Sequence, residues 1–134
     1  MAKILVVDDE KHIVRLVQIN LERAGHEVVT AFDGIEALEK VAAEVPDLVV
    51  LDIMMPRKDG WETLKDLAAD PKTADLPVIV LSAKAQDQDI AKTLMSGAIH
   101  LTKPFNPREL ILFVERILQF RDMPDEDAET VWEV

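Results

Sequence analysis

Three acids in a row, Asp8, Asp9 and Glu10, close a short apolar run near the start of the chain. A lone acid, Asp52, closes a later run. Ser82 closes another, and Thr102 and Lys103 follow a last one, just before Pro104. Brought to one place, the carboxylates would repel one another, and a cation would be needed to hold them together. The ligands on offer are all oxygens, with no His or Cys in the pattern. That suits a hard ion, Mg2+ or Mn2+, that keeps several waters. Lys103 adds a point positive charge suited to a phosphoryl oxygen or one carboxylate. Ser82 adds a hydroxyl donor. Carboxylate, divalent cation, lysine and hydroxyl together suit phosphoryl transfer onto a carboxylate, in which an in-line nucleophile and neutralised equatorial oxygens carry the reaction. Asp52, central among these positions, is the expected acceptor, with Asp8 and Asp9 holding the metal.

These residues can meet only if the elements between them put them on one edge. Five apolar runs recur: Ile4–Val7, Val28–Phe32, Leu48–Leu51, Val78–Leu81 and Ala98–Leu101. They are short, mostly rich in β-branched residues, and flanked by turn residues, which predicts strands. Between them lie helical stripes. Ile13, Leu16, Val17, Leu21 and Ala24 form the first, ended by Gly25. Ile35, Leu38, Ala42 and Val45 form the second, stopped by Pro46. Trp61, Leu64 and Leu67 form a third, after an Asp59-Gly60 turn. Ile90, Ala91, Leu94 and Met95 form a fourth, stopped by Gly97. Leu110, Phe113, Val114, Ile117 and Leu118 form the last, with Pro107 at its start. The βα alternation, five times over, predicts an α/β fold with a parallel sheet and helices on both faces. In such sheets ligands bind beyond the carboxyl ends of the strands, which is where the chemically competent residues fall.

The chain has 134 residues, 49% of them hydrophobic, enough for one domain with one sizeable core. Its net charge of −11 argues against binding nucleic acid directly. No apolar run is long enough for a membrane span, and no cysteine asks for an oxidising compartment. The first residues, MAKILVVDDE, do not read as a signal peptide, so a cytoplasmic protein is expected. Residues 122–134 carry Asp122, Asp125, Glu126, Asp127, Glu129 and Glu133 without Lys or Arg. That stretch is expected to be an acidic tail, a linker or a disordered end after a domain spanning 1–121. No output domain follows residue 121, so the expectation is a stand-alone unit or a fragment of a longer regulator.

The strings ILVVDDE, LVVLDIMMPRKDGWE, PVIVLSAKAQ and LTKPF, in this order and spacing, resemble those of the response-regulator receiver family of two-component signalling. The resemblance covers roughly residues 2 to 121. It implies a doubly wound, flavodoxin-like five-stranded sheet of order 2-1-3-4-5. It implies Asp52 as phosphoacceptor, Asp8 and Asp9 as the acidic pair, and the backbone carbonyl of Met54 as a further Mg2+ ligand. Ser82 becomes the switch hydroxyl and Lys103 the phosphate-binding lysine, with a cis Lys103–Pro104 bond. It implies a signalling protein rather than a classical enzyme, one that catalyses its own phosphorylation and dephosphorylation. A histidine kinase or histidine phosphotransfer protein would be the donor, and a downstream protein or an output domain the receiver of the signal. A homodimer would form through the face made by the fourth helix, fifth strand and fifth helix. The chain departs from the family at His100, where an aromatic residue is usual three positions before the lysine, and in a stretch from Gly97 to Lys103 one residue shorter than the common pattern.

Blander and rival readings compete with this one. Asp8 and Asp9 could cap the first helix. Trp61 reads as partly buried packing, His12 as a solvated neighbour of the site, and His100 as a plain strand histidine or a switch. Ile111, Leu112 and Phe120 fall off the main stripe of the last helix and could pack locally or face a partner. A small-molecule phosphatase would need a second Asp two residues after the nucleophile and a cap insertion, and the chain has neither. A nucleotide or flavin carrier would need a phosphate loop, yet no GxxxxGK or GxGxxG string is present, and Asp8-Asp9-Glu10 would repel phosphate. A receiver-like interaction module that takes no phosphate is the remaining alternative.

Overall fold

The computed structural model describes residues 2–54, 59–84 and 98–121. Five strands, β1 (Lys3–Val7), β2 (Glu27–Ala31), β3 (Leu48–Asp52), β4 (Val78–Ser82) and β5 (Ala98–Thr102), alternate with helices. The helices are α1 (Lys11–Arg23), α2 (Gly34–Glu44), α3 (Gly60–Ala69) and the last, α4 (Pro107–Arg121). The fourth helix expected around Ile90–Met95, the 122–134 tail and the Phe120 side chain lie outside the described residues. The sheet order is β2-β1-β3-β4-β5, with every pairing parallel. That is the doubly wound order expected.

Strand residues alternate between two apolar layers, because successive side chains point to opposite faces. Leu5, Val7, Val49, Leu51, Val78 and Val80 pack with Ala37 and Val41 of α2 and with Leu64 and Leu67 of α3. Ile4, Val6, Leu48, Val50, Ile79 and Leu81 pack with Val14, Val17 and Leu21 of α1 and with Leu110, Val114 and Ile117 of α4. All residues of β3 and β4 are buried, so these two strands are covered on both faces of the sheet.

Helix ends follow local chemistry. The side chains of Asp33 and Asp59 each accept the backbone N–H three residues on, from Glu36 and Glu62, both at 2.9 Å, and so start α2 and α3. The α1 turn closes through Gly25 at φ +95°, where a side chain would be strained. Val45, the C-cap of α2, takes φ +47°, an uncommon conformation for a β-branched residue, just before Pro46. His26, in the turn into β2, is buried. Its Nδ1 accepts from Ala2 N–H at 3.3 Å, and its Nε2 lies 2.8 Å from Glu115 Oε1, tying α4 to the start of β1. Trp61 is partly buried against the α2–α3 layer, as expected. On α4, Ile111 packs against the α1–α4 layer, while Leu112 is exposed.

Candidate functional site

Each strand end expected to carry chemistry delivers its residue to the same edge. Asp8 follows β1 and is fully buried; Asp9 beside it is exposed. Asp52 and Ser82 are the last residues of β3 and β4 and are 3% and 2% exposed. Lys103 follows β5, and its N–H donates to the Ser82 carbonyl at 2.7 Å, so these two arms of the site run side by side. The peptide bond between Lys103 and Pro104 is cis, as expected.

Carboxylate oxygens of Asp8, Asp9 and Asp52 all lie within 4.8 Å of one another. An octahedral Mg2+ shell is roughly 4 Å across, so a small closure would let the trio share one ion. The donor set is oxygen only, and it carries more negative charge than Lys103, the one lysine in contact with it among the described residues, can neutralise. Both facts fit a hard divalent cation. Lys103 Nζ donates to Asp8 Oδ2 at 3.0 Å and lies 3.3 Å from Asp52 Oδ1.

This crowding shows in the titration of Asp52. Burial, together with the neighbouring charge of Asp8, pushes its carboxyl up from 3.8 to about 7. Lys103 and the Met54 N–H, which donates to Asp52 Oδ1 at 3.2 Å, act in the opposite direction. Burial alone would lower the Lys103 ammonium. Its hydrogen bond to Asp8 and the charges of Asp52 and Asp8 outweigh that, and its pKa rises above the ordinary 10.5.

The Ser82 hydroxyl accepts the Lys84 N–H at 2.9 Å and lies 3.3 Å from the Lys84 carbonyl. The Met54 side chain is exposed, so only the backbone of that residue bears on the site. His12 is exposed and stands 3.3 Å from Glu10. Helix capping is not what Asp8 and Asp9 do. The N-cap of α1 is Glu10, without a side-chain cap, and Asp8 Oδ1 instead accepts the Glu10 N–H at 3.0 Å.

His100 pairs with Val80 across β4–β5, away from the acidic trio. Its Nε2 is buried and has no hydrogen-bond partner among the described residues. The sequence reading passed over Gly60 as a turn residue. A Cβ placed there would sit 2.5 Å from the Asp52 carbonyl oxygen. A glycine eight residues after β3, opening a helix, was the one available signal.

The chain is 49% identical over 118 residues to the alkaline phosphatase synthesis transcriptional regulatory protein PhoP of Bacillus subtilis (strain 168), a match covering 87% of this chain and 48% of that protein. It is 42% identical over 123 residues to the DNA-binding dual master transcriptional regulator RpaA of Synechocystis sp. (strain ATCC 27184 / PCC 6803 / Kazusa), covering 91% of this chain and 51% of that one. The chain thus spans about half the length of these curated relatives. Among solved structures, the chemotaxis response regulator CheY4 of Vibrio cholerae superposes with TM-score 0.81 at 34% identity, covering 87% of this chain and 98% of that one. The receiver domain of Francisella response regulator 1452 gives TM-score 0.83 at 34% identity, covering 91% and 100%. Residues 4–115 match the response regulator receiver domain, and the chain belongs to that family of two-component signalling proteins.

Proposed function

We propose that this chain is a phosphoacceptor switch in which Asp52 takes a phosphoryl group from a phosphohistidine on a histidine kinase or histidine phosphotransfer protein. The observation that carries the reading is the convergence of Asp8, Asp9 and Asp52 within 4.8 Å, with Lys103 Nζ at 3.0 and 3.3 Å from Asp8 and Asp52. Asp8, Asp9, Asp52 and the Met54 carbonyl would hold Mg2+, or Mn2+, which supplies charge neutralisation for the transferred group. An Asp52 carboxylate oxygen bonds to phosphorus as the P–N bond to the donor imidazole breaks, and the electron pair leaves on that nitrogen, which takes a proton. Lys103, already between two carboxylates, is placed to pair with a phosphoryl oxygen. The Ser82 hydroxyl, now engaged with Lys84, would turn to donate to another. The same site would return the phosphoryl group to water, so turnover is confined to the protein's own aspartyl phosphate.

The signal would pass from Ser82 through β5 and His100 to the face formed by the segment before β5, β5 itself and α4. That face would bind a downstream protein or an output domain, or a second copy of the chain. The receiver unit spans residues 1–121, the 122–134 stretch is a linker or tail, and the setting is cytoplasmic. Regulators similar to this chain carry transcriptional names and are about twice its length, which supports an output domain as the target.

Acetyl phosphate with Mg2+, followed by intact-mass analysis, tests the reading. Wild type gains one phosphoryl group, Asp52→Asn gains none, and removing Mg2+ with a chelator abolishes the gain. An unmodified wild type would leave the phosphate-free interaction module as the better account.

A further inference from the structure

The glycine that opens α3 has no room for a side chain, and the obstruction is the acceptor's own backbone. A Cβ on Gly60 would lie 2.5 Å from the Asp52 carbonyl oxygen, 2.5 Å from Ile53 Cα and 3.0 Å from Ile53 Cδ1. Gly60 also donates its N–H to the Ile53 carbonyl at 2.9 Å. On the other side, the Ile53 N–H donates to Leu81 at 3.1 Å. The peptide link that leaves β3 is therefore held between β4 and the first residue of α3. Met54, one step further, returns its N–H to the Asp52 carboxylate. Asp52 is thus fixed at its carbonyl by packing and at its carboxylate by the loop that the same packing shapes.

We propose that Gly60 is a positioning residue for Asp52. Its missing side chain lets α3 seat against the link after the acceptor, and that seating sets where the carboxylate stands relative to Lys103 and Asp8. The proposal rests on the reading of Asp52 as the phosphoacceptor. A side chain at position 60 must displace either α3 or the end of β3. Leu64 and Leu67 hold α3 in the core, and its start is capped by Asp59, so the link from Asp52 to Ile53, where the chain leaves β3, takes up the shift. Restoring an ordinary contact needs a shift of roughly 1 Å, and a misplacement of that size costs about 100-fold in rate when reacting groups must be aligned.

Gly25→Ala is the matched control. Gly25 also needs its glycine, at φ +95°, but nothing lies within 4 Å of a Cβ there, so the substitution strains the backbone in a turn outside the site. Thermal unfolding, the rate of phosphorylation by acetyl phosphate at saturating Mg2+, and the crystal structure are measured for wild type, Gly60→Ala and Gly25→Ala. Both variants lose stability. Only Gly60→Ala loses phosphorylation, by about 100-fold at temperatures well below its unfolding midpoint, and only its crystal structure shows the Asp52 carboxylate moved away from Lys103. A Gly60→Ala protein that reacts as fast as Gly25→Ala, or whose Asp52 has not moved, overturns the proposal.

Two further results keep the claims separable. If wild type takes no phosphoryl group, the proposed function fails, while the displaced carboxylate in Gly60→Ala still decides the positioning claim. If Gly60→Ala does not fold, amide exchange in wild type decides it. Adding beryllium fluoride with Mg2+ must slow exchange at the Gly60 N–H and leave Gly25 unchanged, and an indifferent Gly60 overturns the proposal.

Discussion

Lys103 donates its shorter contact, 3.0 Å, to Asp8 rather than to the proposed acceptor Asp52, which lies at 3.3 Å. The ammonium stands between a buried carboxylate and the carboxylate that is to react. In this structure it offsets the charge of the acidic edge, and under the proposed phosphorylation it would already be within reach of the new anion.

Removing that ammonium should therefore cost stability as well as chemistry. In Lys103→Ala the Asp8 carboxylate is left buried without its ion-pair partner, a change that costs about 3 kcal/mol. The loss should be greatest at pH 8 and smaller at pH 5, where Asp52 is protonated and no longer repels Asp8. Adding Mg2+ at pH 8 should recover part of it. Urea unfolding at the two pH values, with and without Mg2+, reads all three effects, and a variant as stable as wild type at pH 8 would show that the pair contributes nothing.

The raised Asp52 carboxyl sets a pH dependence of known sign. Between 3.8 and about 7 the folded protein holds a proton on Asp52 that the unfolded chain has released. The native state thus binds more protons than the unfolded state in this window, and stability falls as pH rises through it. Below the window the contribution is fully present, and above about 7 it is gone. Asp52→Asn cannot ionise, so in metal-free buffer it should be about 4 kcal/mol more stable than wild type at pH 8 and close to it at pH 4. Plotting the difference in unfolding free energy against pH cancels the other carboxylates, and a flat difference would contradict the raised carboxyl.

Val45 offers a test away from the edge. It holds φ +47° with its side chain 76% exposed, so it bears backbone strain without much burial in return. Asn tolerates that conformation, and Val45→Asn should stabilise the protein by about 1 kcal/mol. The urea midpoint should rise with no change in phosphorylation by acetyl phosphate.

The parts of the fold legible in the sequence were those with a strong local signature. β3 and β4 are buried on both faces, so they read as unbroken apolar runs, and Leu48–Leu51 and Val78–Leu81 fall one residue short of the observed strand ends. β2 lies at an edge with a mixed burial pattern, and the expected Val28–Phe32 is displaced by one residue from Glu27–Ala31. Asp8, Asp9, Asp52, Ser82 and Lys103 were legible because a parallel sheet sends every strand end to one side. Gly60 and His26 were not. The importance of Gly60 lies in a contact with the Asp52 backbone, and that of His26 in a bond to Glu115 89 residues away. His26 leaves no periodicity or motif, and Gly60, though inside the string LVVLDIMMPRKDGWE, carries no mark of the backbone it meets. Val45 was read as the last apolar residue of the second helical stripe, but it stands exposed as the C-cap after α2, since nothing in its side chain announces a left-handed backbone.

Asp8 and Lys103 are 95 residues apart in the chain. During synthesis the acids at the ends of β1 and β3 are made long before the lysine that offsets them. A nascent chain holding β1 through β4 would have to bring Asp8, Asp9 and Asp52 together without that lysine, so the acidic edge resists closing until β5 arrives. The order of translation thus delays closing of the acidic edge until β5 and the lysine that follows it have been made.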